Sequence, residues 1–110
     1  MNDIVTHVSV PHDHPSLPGH FPGRPVVPGV VLLDLTFESI CATLAQPVEL
    51  VSIVSAKFMQ AVAPEMRLDV HIKLTPDELT GHLKARFTLT HAHTPVLEGS
   101  FMLATTERAS

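Results

Sequence analysis

His20 and Asp34 are the residues of this 110-residue chain whose types and setting best suit proton transfer. His20 lies in a Pro/Gly-rich segment, Gly19-His20-Phe21-Pro22-Gly23-Arg24-Pro25. Asp34 follows fourteen residues later, inside the apolar run Val30-Val31-Leu32-Leu33-Asp34-Leu35. Neutral imidazole, with a pKa of about 6.5, accepts a proton at cellular pH. A carboxylate gains nothing from an apolar run, because burying it without partners costs several kcal/mol or keeps it protonated. A histidine and an acid held in this way are candidates for paired acid–base work. Gly29 lies between them, where a helix is expected to begin, and the free N–H groups of a helix start stabilise a developing negative charge.

The elements that must position these groups follow from periodicity. Residues 4–10 alternate loosely and read as a first strand. Residues 11–29 hold six of the ten prolines and three glycines, so an ordered, non-repetitive loop is expected. Residues 30–45 are apolar around most of a helical circumference and predict a helix buried on nearly all sides. Pro47 ends it. Residues 48–60 predict a strand, and 66–74 alternate cleanly, with Met66, Leu68, Val70, Ile72 and Leu74 against Arg67, Asp69, His71 and Lys73. A turn from Pro76 to Gly81, a strand over 82–90, a turn from His91 to Pro95 and a strand over 96–105 complete the chain. One long apolar helix needs a concave surface, and a curled antiparallel sheet wrapped around it supplies one. The expected fold is therefore α+β, a single hotdog domain over residues 1–110.

Composition narrows the function classes. Hydrophobic residues make up 45% and charged residues 16%, which fits a globular domain that buries part of its surface against another copy. Net charge is −4 without a basic run, so nucleic acid is not an expected partner. Cys41 is the single cysteine, which rules out an intrachain disulfide. The start shows no signal-peptide pattern, and no stretch approaches the roughly 20 apolar residues of a membrane span, so a cytoplasmic location is expected.

The segment from His20 to Asp34 resembles the bacterial 3-hydroxyacyl-acyl-carrier-protein dehydratases. That family carries His-Phe-Pro-x-x-Pro-Val-x-Pro-Gly, an apolar run, and then Glu or Asp. His20-Phe21-Pro22, Pro25-Val26 and Pro28-Gly29 match in register, and Asp34 takes the acid position. Lys57-Phe58 with Val62-Ala63-Pro64 resembles a second family stretch, with its first Pro and its Gly-Asp missing. Asp34 is similar to the dehydratase-isomerase branch, whereas single-activity enzymes carry Glu. Both branches favour Gln where this chain has Glu38. The short dehydratases of specialised pathways such as aryl-polyene synthesis are the most similar group.

The resemblance implies a hotdog homodimer acting on thioesters of acyl-carrier protein or coenzyme A, with His and acid in each site donated by different subunits. Dehydration then needs a base for the C2 proton (His20), donors for the thioester oxygen (Gly29 and the helix start) and an acid for the departing hydroxyl, either Asp34 itself or a water that it orients. Phe21 and Val30 fall among wall residues. Glu38 is either a solvated or dimer-facing carboxylate, or a charge that raises the pKa of Asp34. Arg24 is either a phosphate contact or a solvated loop residue, and Cys41 is expected in the core. No metal or organic cofactor is required, because the thioester itself acidifies C2; His12-x-His14 and His91-x-His93 lack further ligands at suitable spacing. Two other readings stand beside the dehydratase: a hotdog thioesterase, using an acid on the same helix to activate water, and a non-catalytic acyl-thioester-binding subunit.

Overall fold

A computed structural model of the chain describes residues 2–11, 13–14, 26–44 and 46–105. The expectations for His20, Phe21, Arg24 and His12 lie outside these residues. The order is β1 (Asn2–Val8), α1 (Gly29–Thr43), β2 (Val48–Phe58), β3 (Leu68–Pro76), β4 (Leu83–His91) and β5 (Thr94–Thr105). The five strands form one sheet in the order β1-β3-β4-β5-β2, each neighbouring pair antiparallel. One helix on one antiparallel sheet is the α+β hotdog arrangement.

Alternation along the strands builds the core. Leu68, Val70, Ile72 and Leu74 of β3, and Ala85, Phe87 and Leu89 of β4, are buried on the helix side. Leu97, Phe101 and Leu103 continue that face on β5. Phe101 joins sheet to helix: its ring lies 4.6 Å from that of Phe87 and 6.3 Å from that of Phe37 on α1, the latter at 81°. Such edge-to-face pairs contribute roughly 0.5–1.5 kcal/mol beyond the area they bury.

The β4–β5 turn is tighter than the sequence suggested. β4 runs to His91 and β5 starts at Thr94, leaving Ala92 and His93 at φ 49° and 69°. Positive φ at both central residues gives a turn whose twist matches that of the flanking strands.

The helix corrects a second expectation. It is buried along one stripe, Leu32, Thr36 and Ile40, and not on nearly all sides. Val30, Asp34, Glu38 and Cys41 lie on the opposite face and are exposed in the single chain. Cys41 is therefore not a core residue. Partial desolvation, and secondarily the Glu38 carboxylate, push its thiol above the usual range, so it is protonated at neutral pH. The helical hydroxyls bond back along the chain: Thr36 Oγ1 donates to Leu32 O at 2.8 Å, and Ser39 Oγ to Leu35 O at 3.0 Å. This lets Thr36 be buried without an unpaired polar atom.

β2 is the other informative element. Among the described residues it is an edge strand, paired with β5 alone, and its register shifts between Leu50 and Ser52 and between Ile53 and Ser55. At Gly99 the backbone of β2 comes so close that a Cβ would lie 2.2 Å from Ser55 O and 2.9 Å from the Phe87 ring. Only glycine fits there, because both neighbours belong to the packed sheet. Gly99→Ala is expected to destabilise the fold by about 1–3 kcal/mol, as overpacking does; urea unfolding checks this.

Candidate active site

The start of α1, the end of β2 and the segment after it border an open pocket of about 530 Å³. Val27, Gly29, Leu32, Phe58, Met59 and Val62 line it. Two backbone bonds hold its walls. Val27 N–H donates to Val62 O at 2.8 Å, and Met59 N–H donates to Val96 O at 2.8 Å. The first ties the approach to the helix onto the segment after β2; the second ties that segment to β5. The lining is mainly apolar, as an acyl chain requires.

Gly29 opens the helix after Pro28, which is extended at φ −60°, ψ 144° and contributes no side-chain cap. Val31 N–H donates to Pro28 O at 3.0 Å. Among the described residues no acceptor meets the N–H of Gly29 or Val30. Those two donors stand at the positive end of the helix, where an incoming oxygen of a ligand is stabilised. Phe58 packs directly on this glycine: a Cβ there would lie 2.8 Å from two of its ring atoms. That contact is with the far end of a side chain, so it yields more readily than the β2 backbone at Gly99.

The residues singled out from sequence are only partly brought together. Gly29 lines the pocket. Val30 is 71% exposed and points away from it, so it is not a wall residue within one chain. Asp34 and Glu38 share the exposed face with Val30, opposite the buried stripe of Leu32, Thr36 and Ile40. Asp34 therefore faces away from the pocket of its own chain and stands in solvent, not in the apolar setting expected for it. His20 and Phe21 lie outside the described residues. Phe58 to Val62 were not among the expected site residues. Their signal was present in the second motif stretch, Lys57-Phe58 with Val62-Ala63-Pro64.

Comparison with known proteins places this arrangement. A family model described as ApeI-like, for the ApeI dehydratase, matches residues 1–100. The chain belongs to the ApeI-like dehydratase family. Among sequence relatives of this ApeI-like protein, the 3-hydroxyacyl-[acyl-carrier-protein] dehydratase FabZ of Anaeromyxobacter sp. is 37% identical over 83 residues, covering 64% of this chain and 52% of the relative. FabZ of Rickettsia massiliae is 33% identical over 80 residues, covering 64% and 55%. The chain thus spans about half the length of the curated relatives it matches. Among solved structures, the dehydratase heterocomplex ApeI:P from Xenorhabdus doucetiae superposes with a TM-score of 0.71 at 24% identity, covering 93% of this chain and 87% of that one. The fluoroacetyl-CoA-specific thioesterase FlK superposes at 0.75 with 16% identity, covering 94% and 84%. At these identities the likeness carries the hotdog fold and no more. Among the described residues no helix is long and apolar enough to cross a membrane.

Proposed function

We propose that this ApeI-like chain is a dehydratase that converts 3-hydroxyacyl thioesters, carried by acyl-carrier protein or coenzyme A, to trans-2-enoyl thioesters. The observation that carries the reading is Gly29 at the rim of an apolar pocket, with helix-start donors beside it that no acceptor among the described residues meets. The acyl chain occupies the pocket between Phe58 and Val62. The N–H groups at Gly29 and Val30 receive the thioester oxygen. His20 removes the C2 proton, the C3–O bond breaks, and Asp34 gives its proton to the departing hydroxyl, which leaves as water.

Because Asp34 faces away from the pocket of its own chain, the Asp34 of each site comes from a second subunit. The proposed partner is a second copy of the chain, joined along β2. This edge strand exposes Leu50, Val51, Ile53, Val54 and Phe58 by 40–51%. Its only charged residues are Glu49 and Lys57. An eleven-residue apolar edge left open is a template for aggregation, so covering it against another sheet edge resolves both its unpaired backbone groups and its exposed side chains. Glu38, one turn beyond Asp34, lies on the same partner-facing surface.

Mass spectrometry of purified protein with 3-hydroxyacyl thioesters of several chain lengths tests the activity. Loss of one water from the acyl group is expected, and its gain when the enoyl thioester is supplied. Free acid and released thiol would replace this reading by a thioesterase; unchanged substrate at every length and on both carriers would replace it by a binding subunit.

Gly29 gives a finer test. In Gly29→Ala the new methyl pushes the Phe58 ring and crowds the approach to the helix start. We expect a Tm shift of only a few degrees, as a loss of about 1 kcal/mol gives in a domain of this size. Steady-state kinetics should show kcat falling by about tenfold or more, since one weakened donor to a developing oxyanion costs 10²–10³ when lost outright.

A further inference from the structure

Four of the seven basic residues, Lys57, Lys73, Lys84 and Arg86, fall on the sheet face turned away from the helix. The alternation fixes this. Lys84 and Arg86 alternate with the buried Ala85 and Phe87, and Lys73 lies between the buried Ile72 and Leu74. Register brings them together: Lys73 is directly opposite Arg86, Arg86 opposite Ser100, and Ser100 opposite Ser55. A depression of about 600 Å³ opens here, lined by Lys84, Arg86 and Thr88 on one side, Lys57 and Ser55 on the other, and Ser100 between them. The two cationic walls belong to β4 and β2, with β5 between, so they stand roughly 10 Å apart, twice the strand spacing.

Among the described residues no carboxylate pairs directly with these cations. Among the described residues the ion pair formed is Arg67 with Asp69, and none of Lys57, Lys73, Lys84 or Arg86 has a hydrogen-bond or ion-pair partner. Glu98 is the one carboxylate in the depression; its register partner is Lys57, yet the two form no ion pair. Like charges directly opposite on adjacent strands, as at Lys73 and Arg86, destabilise a sheet. The floor is polar as well. Ser100 is 5% exposed, and its hydroxyl meets that of Ser55 at 3.3 Å, which leaves both with unused hydrogen-bonding capacity. A chain of net charge −4 therefore concentrates cations and hydroxyls in one small concavity.

We propose that this depression binds a phosphate-bearing small molecule, with Lys57, Lys84 and Arg86 on its oxygens and Ser55 and Ser100 beneath. It is a site separate from the Gly29 pocket, on the other face of the sheet. A second copy of the same face is disfavoured as the occupant, because it would oppose cation to cation. An extended polyanion is disfavoured because Asp3, opposite Lys73, bounds the positive region on the β1 side, and Glu98 on β5 interrupts it between the two cationic walls.

Isothermal titration of the full chain with pyrophosphate at low ionic strength tests this, with sodium chloride at matched ionic strength as the control. Saturable binding is expected, weakened at least about tenfold in the double variant Lys84→Gln/Arg86→Gln, since each lost charged hydrogen bond is worth a factor of ten or more. Both side chains are on the solvent face, and a circular-dichroism melt confirms that the variant folds. Absence of saturable binding, or equal binding by the variant, overturns the proposal. So does binding of poly-glutamate without pyrophosphate, which would assign the face to an acidic protein surface instead.

Discussion

We expect Asp34→Asn and His20→Ala each to lower kcat/KM for a 3-hydroxyacyl thioester by roughly 10²–10⁴-fold, the range for losing a positioned acid or base. For Asp34 the loss comes without loss of fold. Its side chain is exposed, and it makes no ion pair or hydrogen bond among the described residues. Asparagine keeps its shape and removes the ionisable carboxyl group to which the proposal gives the proton transfer. A residue this free in one chain adds nothing to the packing of the helix; in the proposed reading its use lies in a site completed across two chains. The drop should fall mainly on kcat, because the transferred proton stabilises the transition state and not the bound substrate. Thermal melts of Asp34→Asn should coincide with wild type. Turnover within twofold of wild type would make Asp34 an ordinary surface carboxylate.

The second large effect is expected at the open edge. Ile53→Asp places a carboxylate among Leu50, Val51, Val54 and Phe58, where the proposed partner strand lies. Burying it unpaired costs several kcal/mol in the dimer, whereas in a single chain the position is 47% exposed and tolerates it. Sedimentation should therefore show a folded monomer, and activity should fall together with the dimer if each site takes Asp34 from another subunit, as proposed. A dimer of unchanged mass would place the interface elsewhere. A monomer with full activity would contradict the two-chain site itself.

Much of this fold is legible in residue order. The alternation over β3 and β4 is strict, so periodicity alone assigns Leu68, Val70, Ile72, Ala85, Phe87 and Leu89 to the core, where they are buried. Gly29 is recognisable because the motif around it fixes the helix start. Composition is what misleads. The helix is apolar almost all round, which reads as full burial, but in one chain only Leu32, Thr36 and Ile40 are fully buried, with Val31, Leu33, Leu35 and Phe37 half-buried against the core. Hydrophobicity reports burial in the final assembly and does not say which chain does the covering. The same holds for β2, whose inner-phase residues Leu50, Ile53 and Phe58 are half open at the sheet edge. Strand order is also hidden: β2 lies beside β5 at the far edge from β1, a long-range pairing that no local pattern encodes. The outer-face cations are individually visible as polar positions of alternating strands. Their convergence depends on register between β4, β5 and β2.

Complementation between the two inactive variants tests the shared site most directly. His20→Ala and Asp34→Asn chains carrying different tags are co-expressed, and the mixed dimer is purified through both tags. If each site takes His20 from one chain and Asp34 from the other, the mixed dimer has one site with both changes and one intact site. It should then recover about half the wild-type activity, as two-fold symmetry requires. If both residues of a site came from the same chain, the mixed dimer would stay as inactive as its parents.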